Sequence, residues 1–179
     1  MIKYAAFLRA INVGGKNLIK MDELKKIFES LECKNVTTYI QSGNVMFDSS
    51  IADENELTEK IENRLHEYLS DDVLIFIRTV DQLKSIVEDD PFQKLKFNSS
   101  AKLYISFLKN EINRKSKLPY QSPKKDVEIY RIRNREIYSI PQKIKGRYGF
   151  PNLFIEKEFG VKATTRNWNT IIKVMNLVA

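Results

Sequence analysis

One cysteine and one histidine are the only sulfur and imidazole ligands of their kind in 179 residues. A lone Cys33 excludes an intramolecular disulfide and a cysteine-based zinc site. With His66 the sole histidine, any metal centre would have to be built from carboxylates. The acidic residues do not form a ligand loop; Glu54, Glu56 and Glu59 follow helix-surface spacing. No metal site is therefore expected. His66 sits beside the apolar positions of its segment and reads as a solvated helix histidine, and Cys33 has no histidine near it in sequence, so neither looks like an activated catalytic group. Long hydrophobic runs are also missing. The longest, such as Val73 to Ile77, are strand-sized against the ~20 apolar residues a membrane span requires. The amino terminus has no cationic start followed by an apolar stretch, and a cytoplasmic protein without a membrane partner is expected.

The length allows one large domain or two small ones, enough to bury roughly two-thirds of the unfolded chain's surface. Net charge is +7, but the sign changes along the chain. Up to Asp90 there are 11 Lys and Arg against 17 Asp and Glu, a balance of −6; from Pro91 onward there are 19 against 6, a balance of +13. Such a field draws anions to the second half, and it is also the footprint of a nucleic-acid binder or simply of a solvated lysine-rich surface.

Periodicity in the first half alternates between strand and helix. Ile2 to Leu8 is apolar on both faces and predicts a buried strand; Met21, Leu24, Phe28 and Leu31 have helical spacing. Val36–Ile40 and Val45–Phe47 predict a hairpin around Gln41-Ser42-Gly43-Asn44, whose Gly and Asn suit a tight turn. Leu57, Ile61, Leu65 and Tyr68 predict a second helix, and Val73 to Val80 a closing strand. The order βαββαβ is the split βαβ, ferredoxin-like plan. A degenerate second copy is expected to follow: a short helix over Asp81–Glu88, a strand over Leu103–Leu108, and a long hairpin over Val127–Ile140 turning at Asn134-Arg135. Helices over Asn152–Phe159, ending at Gly160, and through Trp168, Ile171, Ile172, Met175 and Val178 complete it. Asn110–Lys125 is Lys-, Ser- and Pro-rich and predicts a mobile surface loop. The expectation is an α+β fold with antiparallel sheets in two ferredoxin-like subdomains, residues 1–80 and 81–179.

Three segments concentrate Asn, Gly, Thr and cations without a carboxylate. Arg9 to Asn17 is a strand-to-helix connection where backbone N–H groups favour an anion, and Lys16 adds a cation, although the spacing is neither a Walker A nor a dinucleotide fingerprint. Gln41 to Asn44 is expected to do no more than turn the chain, at the opposite end of the sheet from the first loop. Ala163 to Thr170 is expected to open the last helix, capped by Thr165 or Asn167, with Arg166 pairing with a phosphate or carboxylate beside the helix N–H groups and Trp168 in the core. The candidate ligand contacts are Arg9, Asn12, Gly14, Gly15, Lys16, Asn17, Thr164, Thr165, Arg166, Asn167 and Asn169.

Two other readings compete with anion binding. Turning the long hairpin at Asn134-Arg135 puts Arg131, Arg133, Glu136 and Tyr138 on one face, a basic and aromatic surface suited to single-stranded nucleic acid. Asp89-Asp90 reads as a helix terminus rather than a catalytic dyad. An enzyme is conceivable only where an unidentified cofactor carries the chemistry.

The stretches Leu8-Arg9-Ala10-Ile11-Asn12-Val13-Gly14-Gly15-Lys16-Asn17, Tyr39-Ile40-Gln41-Ser42-Gly43-Asn44-Val45 and Ala163 to Thr170 together resemble the bacterial family filed as domain of unknown function 1697. The family pattern carries Gly at the place of Ala10 and a Ser-Lys pair near Phe150-Pro151. The resemblance implies a cytoplasmic bacterial protein with two similar α+β subdomains and no established activity.

Overall fold

The computed structural model describes residues 1–98, 100–112 and 116–178. The chain divides into two compact units, Met1–Ser85 with Val174 onward, and Ile86–Lys173.

In the first unit, β1 (Ile2–Arg9), α1 (Met21–Glu29), β2 (Lys34–Tyr39), β3 (Asn44–Ser49), α2 (Glu54–His66) and β4 (Leu74–Thr79) follow one another. The sheet order is β2-β3-β1-β4, with every pairing antiparallel. Period-2 alternation sends Tyr4, Ala6 and Leu8 of β1 to one face. There they pack with Val45, Phe47, Ile75 and Ile77 against Leu24, Ile27, Phe28, Leu57, Ile61 and Leu65 of the two helices. Ala5, Phe7, Met46 and Phe76 on the other face are buried as well, which is why β1 reads as continuously apolar. The Lys20 N–H bonds Glu23 Oε2 at the start of α1, and Asp53 Oδ1 accepts from Glu56 N at 2.8 Å to start α2. That second helix ends two residues earlier than its apolar spacing suggests. Tyr68 lies beyond it, 60% exposed, because the chain leaves the helix at Glu67. His66, expected in solvent, is half-buried with Nε2 2.7 Å from Val73 O.

After α3 (Val80–Glu88), the second unit contains β5 (Tyr104–Leu108), β6 (Tyr120–Gln121), β7 (Val127–Arg133), β8 (Glu136–Pro141), β9 (Lys143–Ile144), β10 (Arg147–Tyr148), α4 (Pro151–Phe159) and β11 (Ala163–Asn167); α5 (Trp168–Val178) follows. Its main sheet runs β11-β5-β8-β7-β6. Read from the hairpin, β7-β8-β5-β11 repeats the order β2-β3-β1-β4, and α4 stands in the place of α2. The copy is degenerate because, among the described residues between β5 and β7, no helix replaces α1; the short strand β6 pairs with β7 at the sheet edge instead. That strand occupies part of the segment expected to be a mobile loop, of which residues 113–115 lie outside the described residues. Leu108, Ile129, Ile137 and Ala163 form the second core with Ile155 of α4. Pro151 starts α4 and Gly160, at φ 65°, stops it in the left-handed conformation that glycine adopts freely. The fold is α+β, with ferredoxin-like subdomains and antiparallel sheets.

Candidate anion-binding surface

The loop after β1 is a small closed structure. Val13 and Lys16 form an antiparallel bridge around Gly14 (φ 58°) and Gly15 (φ 74°), the left-handed pair of a two-residue hairpin turn. Asn12 and Asn17 brace it. Asn12 Nδ2 donates to Ile19 O at 3.1 Å and to Gln41 O at 3.0 Å, while its Oδ1 accepts from Ile19 N at 2.9 Å. Asn17 Nδ2 donates to Ala10 O at 2.9 Å and Asp72 Oδ1 at 3.0 Å, and its Oδ1 accepts from Ser70 N at 3.0 Å. Hydrogen bonds from Ser70 and Asn17 hold the Asp72 carboxyl below its ordinary range, with nearby Arg9 adding to the effect. Arg9 Nη1 also reaches Asp72 O at 3.4 Å. Lys16, Gly14 and Gly15 face solvent.

The hairpin tip expected at the far end of the sheet lies beside this loop. Because β1 is antiparallel to β3, with Phe7 opposite Asn44, the end of β1 and the β2–β3 turn share one end. Gly43 O accepts from Leu8 N at 2.8 Å, and a Cβ on Gly43 would stand 2.5 Å from Ile11 Cδ1. Gln41 and Gly43 therefore help build the loop rather than only turning the chain.

The segment expected to open the last helix is mostly an edge strand. Thr164, Thr165, Arg166 and Asn167 belong to β11, which pairs with β5, and the helix begins at Trp168. The β-branched threonines fit a strand at least as well as a cap, and β5 offers an unpaired ladder. Asn167 does cap: its Oδ1 accepts from Asn169 N at 2.9 Å. Thr165 Oγ1 lies 2.7 Å from Ser106 Oγ and donates to Asn152 Oδ1 at 3.0 Å. Arg166 is 8% exposed; its Nη1 donates to Thr164 Oγ1 at 2.8 Å and Thr165 O at 3.0 Å, and burial pulls its pKa down to about 10. Trp168 is in the core, edge-on to Phe92 at 5.4 Å.

The basic face of the β7–β8 hairpin is not an open stacking surface. Arg131, Arg133, Glu136 and Tyr138 do share a face, but Tyr138 is buried beside Phe92 and Trp168. Arg131 Nη1 and Arg133 Nη1 meet Asp89 Oδ2 at 2.7 and 2.8 Å. That carboxylate, just past α3, is shared by both guanidinium groups and offsets one of their two charges. Cys33 is buried too, and burial pushes its thiol up to about 11, far from a reactive thiolate.

The open surface in the second unit lies elsewhere, between the β9–β10 hairpin and α4. A groove of about 580 Å³ is walled by Tyr148, Phe150, Leu153 and Phe154, with Lys124 and Lys157 at its rim. Phe150 is 61% and Leu153 65% exposed, a clustering of apolar surface that marks a binding face more often than chance exposure does. Among the described residues neither lysine has an ion-pair partner. Lys102 Nζ stands 4.4 Å and Lys143 Nζ 6.0 Å from the Tyr148 ring centre. Between Gln142 and Ile155 the chain carries Lys143, Lys145 and Arg147 and no carboxylate. Two acids also line the groove, Asp126 accepting from Ser122 Oγ at 2.7 Å and Glu158 from the Tyr120 hydroxyl at 2.7 Å; these bonds fix the carboxylates in place and do not neutralise them. Gly149 fixes the hairpin to the sheet, since a Cβ there would lie 2.1 Å from Asp126 O. Sequence reasoning missed this site, although Lys145-Gly146 is a turn signal followed by alternating Arg, Tyr and Phe.

A family model described as "Protein of unknown function (DUF1697)" matches residues 1–138. The chain belongs to this family. No curated protein matches it. A solved structure described as the conserved bacterial protein SP0830 from Streptococcus pneumoniae is 20% identical, with 99% of each chain covered and a TM-score of 0.66, a likeness that shows the fold. In this DUF1697 chain the groove's hairpin and α4 lie past the matched residues, whereas Lys124 and Asp126 of its lining fall within them. No described helix is long and apolar enough to cross a membrane.

Proposed function

We propose that this DUF1697 protein binds a phosphorylated or otherwise anionic ligand, and that the groove between the β9–β10 hairpin and α4 receives it. The observation that carries this reading is the pairing of Lys124 and Lys157, without ion-pair partners among the described residues, with a concave apolar wall of about 580 Å³, the size range of ligand sites. The charge balance of the second half supports it, because a +13 field concentrates anions on that half before any contact forms. In the β1 loop the Asn12 and Asn17 amides are engaged by backbone and by Ser70 and Asp72, and the exposed Lys16 and Gly14-Gly15 tip have no apolar wall beside them, so the loop is not the site proposed.

The test is calorimetric titration with inorganic tripolyphosphate. Loss of a charge-assisted contact costs on the order of tenfold in affinity. Lys124→Gln with Lys157→Gln is expected to weaken binding by at least that factor, and Arg9→Gln with Lys16→Gln to leave it unchanged. The reverse pattern would move the site to the β1 loop, and silence from the unmodified protein would end the reading.

A further inference from the structure

Resting on that reading, we infer that the anion is the backbone of a single-stranded nucleic acid whose bases lie against Tyr148 and Phe150 in the groove. A purely inorganic anion has no use for an apolar wall. Here the polar and apolar parts are juxtaposed: Tyr148, Phe150, Leu153 and Phe154 line the same groove as Lys124 and Lys157. Bases stack on such rings without regard to sequence, since every base has a π-face.

Cations stand on the groove and beside its rings. Lys124 and Lys157 line the groove, Lys143 pairs with Tyr148 and shares its face of the hairpin, and Lys102 Nζ lies 4.4 Å over the same ring, while Arg147 pairs with Ile144 on the opposite face. The hairpin keeps its form without help from ligand: Lys145 (φ 48°) and Gly146 (φ 81°) turn it, and Gly149 N donates to Gln142 O at 3.3 Å. An exposed ring such as Phe150 with cations beside it is the arrangement by which small modules hold unpaired strands. Of the two polyanions that match such chemistry, a membrane surface is disfavoured because the rings wall a concavity instead of crowning a protruding tip.

The experiment uses the full chain and a fluorescein-labelled twelve-residue oligouridylate read by anisotropy, with inorganic polyphosphate titrated in parallel. Expected are tighter binding of the oligonucleotide than of polyphosphate and a steep fall of its affinity with salt. Phe150→Ala is expected to weaken the oligonucleotide about tenfold while sparing polyphosphate, which also proves the variant folded. If polyphosphate binds and the oligonucleotide is held no better, with Phe150→Ala indifferent to both, the nucleic-acid inference is overturned and the anion reading stands. If neither binds, both fall. Preference for phosphatidylserine vesicles over the oligonucleotide, lost in Phe150→Ala, would overturn it in favour of a membrane surface.

Discussion

Two hairpin tips in this chain have nearly the same backbone and opposite surroundings. Val13-Gly14-Gly15-Lys16 and Ile144-Lys145-Gly146-Arg147 each turn on two left-handed residues between bridged neighbours. Around the first, the Asn12 and Asn17 side chains are tied to five residues, Ala10, Ile19, Gln41, Ser70 and Asp72. Around the second, Lys143, Lys145 and Arg147 point into solvent beside exposed rings. Richness in donors is therefore a poor guide to availability. The amides that make the β1 loop conspicuous in sequence are the means by which it closes, and the plainer hairpin is the one left open.

The strongest way to break the comparison is through glycine. Gly43 and Gly15 both sit at φ 74°, but a Cβ on Gly43 would meet Ile11 Cδ1 at 2.5 Å and Leu8 Cβ at 2.8 Å, whereas Gly15 has open space around it. Gly43→Ala is expected to lose roughly 2–4 kcal/mol, combining overpacking with left-handed strain, and Gly15→Ala only about 1–2 kcal/mol from strain alone. Urea midpoints measure both. Equal losses would mean that the β1 loop is not built against the β2–β3 turn.

Sharpening it is the task of Ala10, a non-glycine residue that holds φ 64°. Glycine there removes about 1–2 kcal/mol of backbone strain and adds about 0.5–1 kcal/mol of unfolded-state entropy. Ala10→Gly should thus raise the urea midpoint by the equivalent of up to about 1.5 kcal/mol. A fall would show that the Ala10 methyl packs more usefully than its conformation suggests.

Local pattern made most of the architecture legible. Periods of 2 and 3.6 locate β1 to β4 with their two helices, Gly160 marks the end of α4, and Asn134 at φ 51° turns β7 into β8 as its type suggests. The closing of the β1 loop was not legible, because Asn12 and Asn17 find Gln41, Ser70 and Asp72 at separations of 29 to 55 residues. Nor was β11. Thr164 and Thr165 suit a cap and a strand equally well, and the choice was made by the free edge of β5. The basic face of β7 and β8 was read correctly as a face, but its two arginines meet a single carboxylate, Asp89, that only the fold brings near.

The smallest expected effect is a pH dependence, and it separates the two tips cleanly. Asp72 keeps its carboxyl below the ordinary value of 3.8 because Ser70 and then Asn17 bond the charged form. A carboxylate whose folded pKa is depressed contributes stability above the unfolded value and loses it as pH falls through the folded one. Asp72→Asn should therefore lower Tm at pH 7, modestly because the group is fully solvated, and its deficit relative to the unmodified protein should shrink below about pH 4 as the native carboxylate takes up its proton. Lys145→Gln at the other tip, which faces solvent, should leave Tm unchanged at both pH values. A deficit for Asp72→Asn that persists into acid would place the stabilisation in the shape of the Asn17 and Ser70 bonds, not in the charge they enclose.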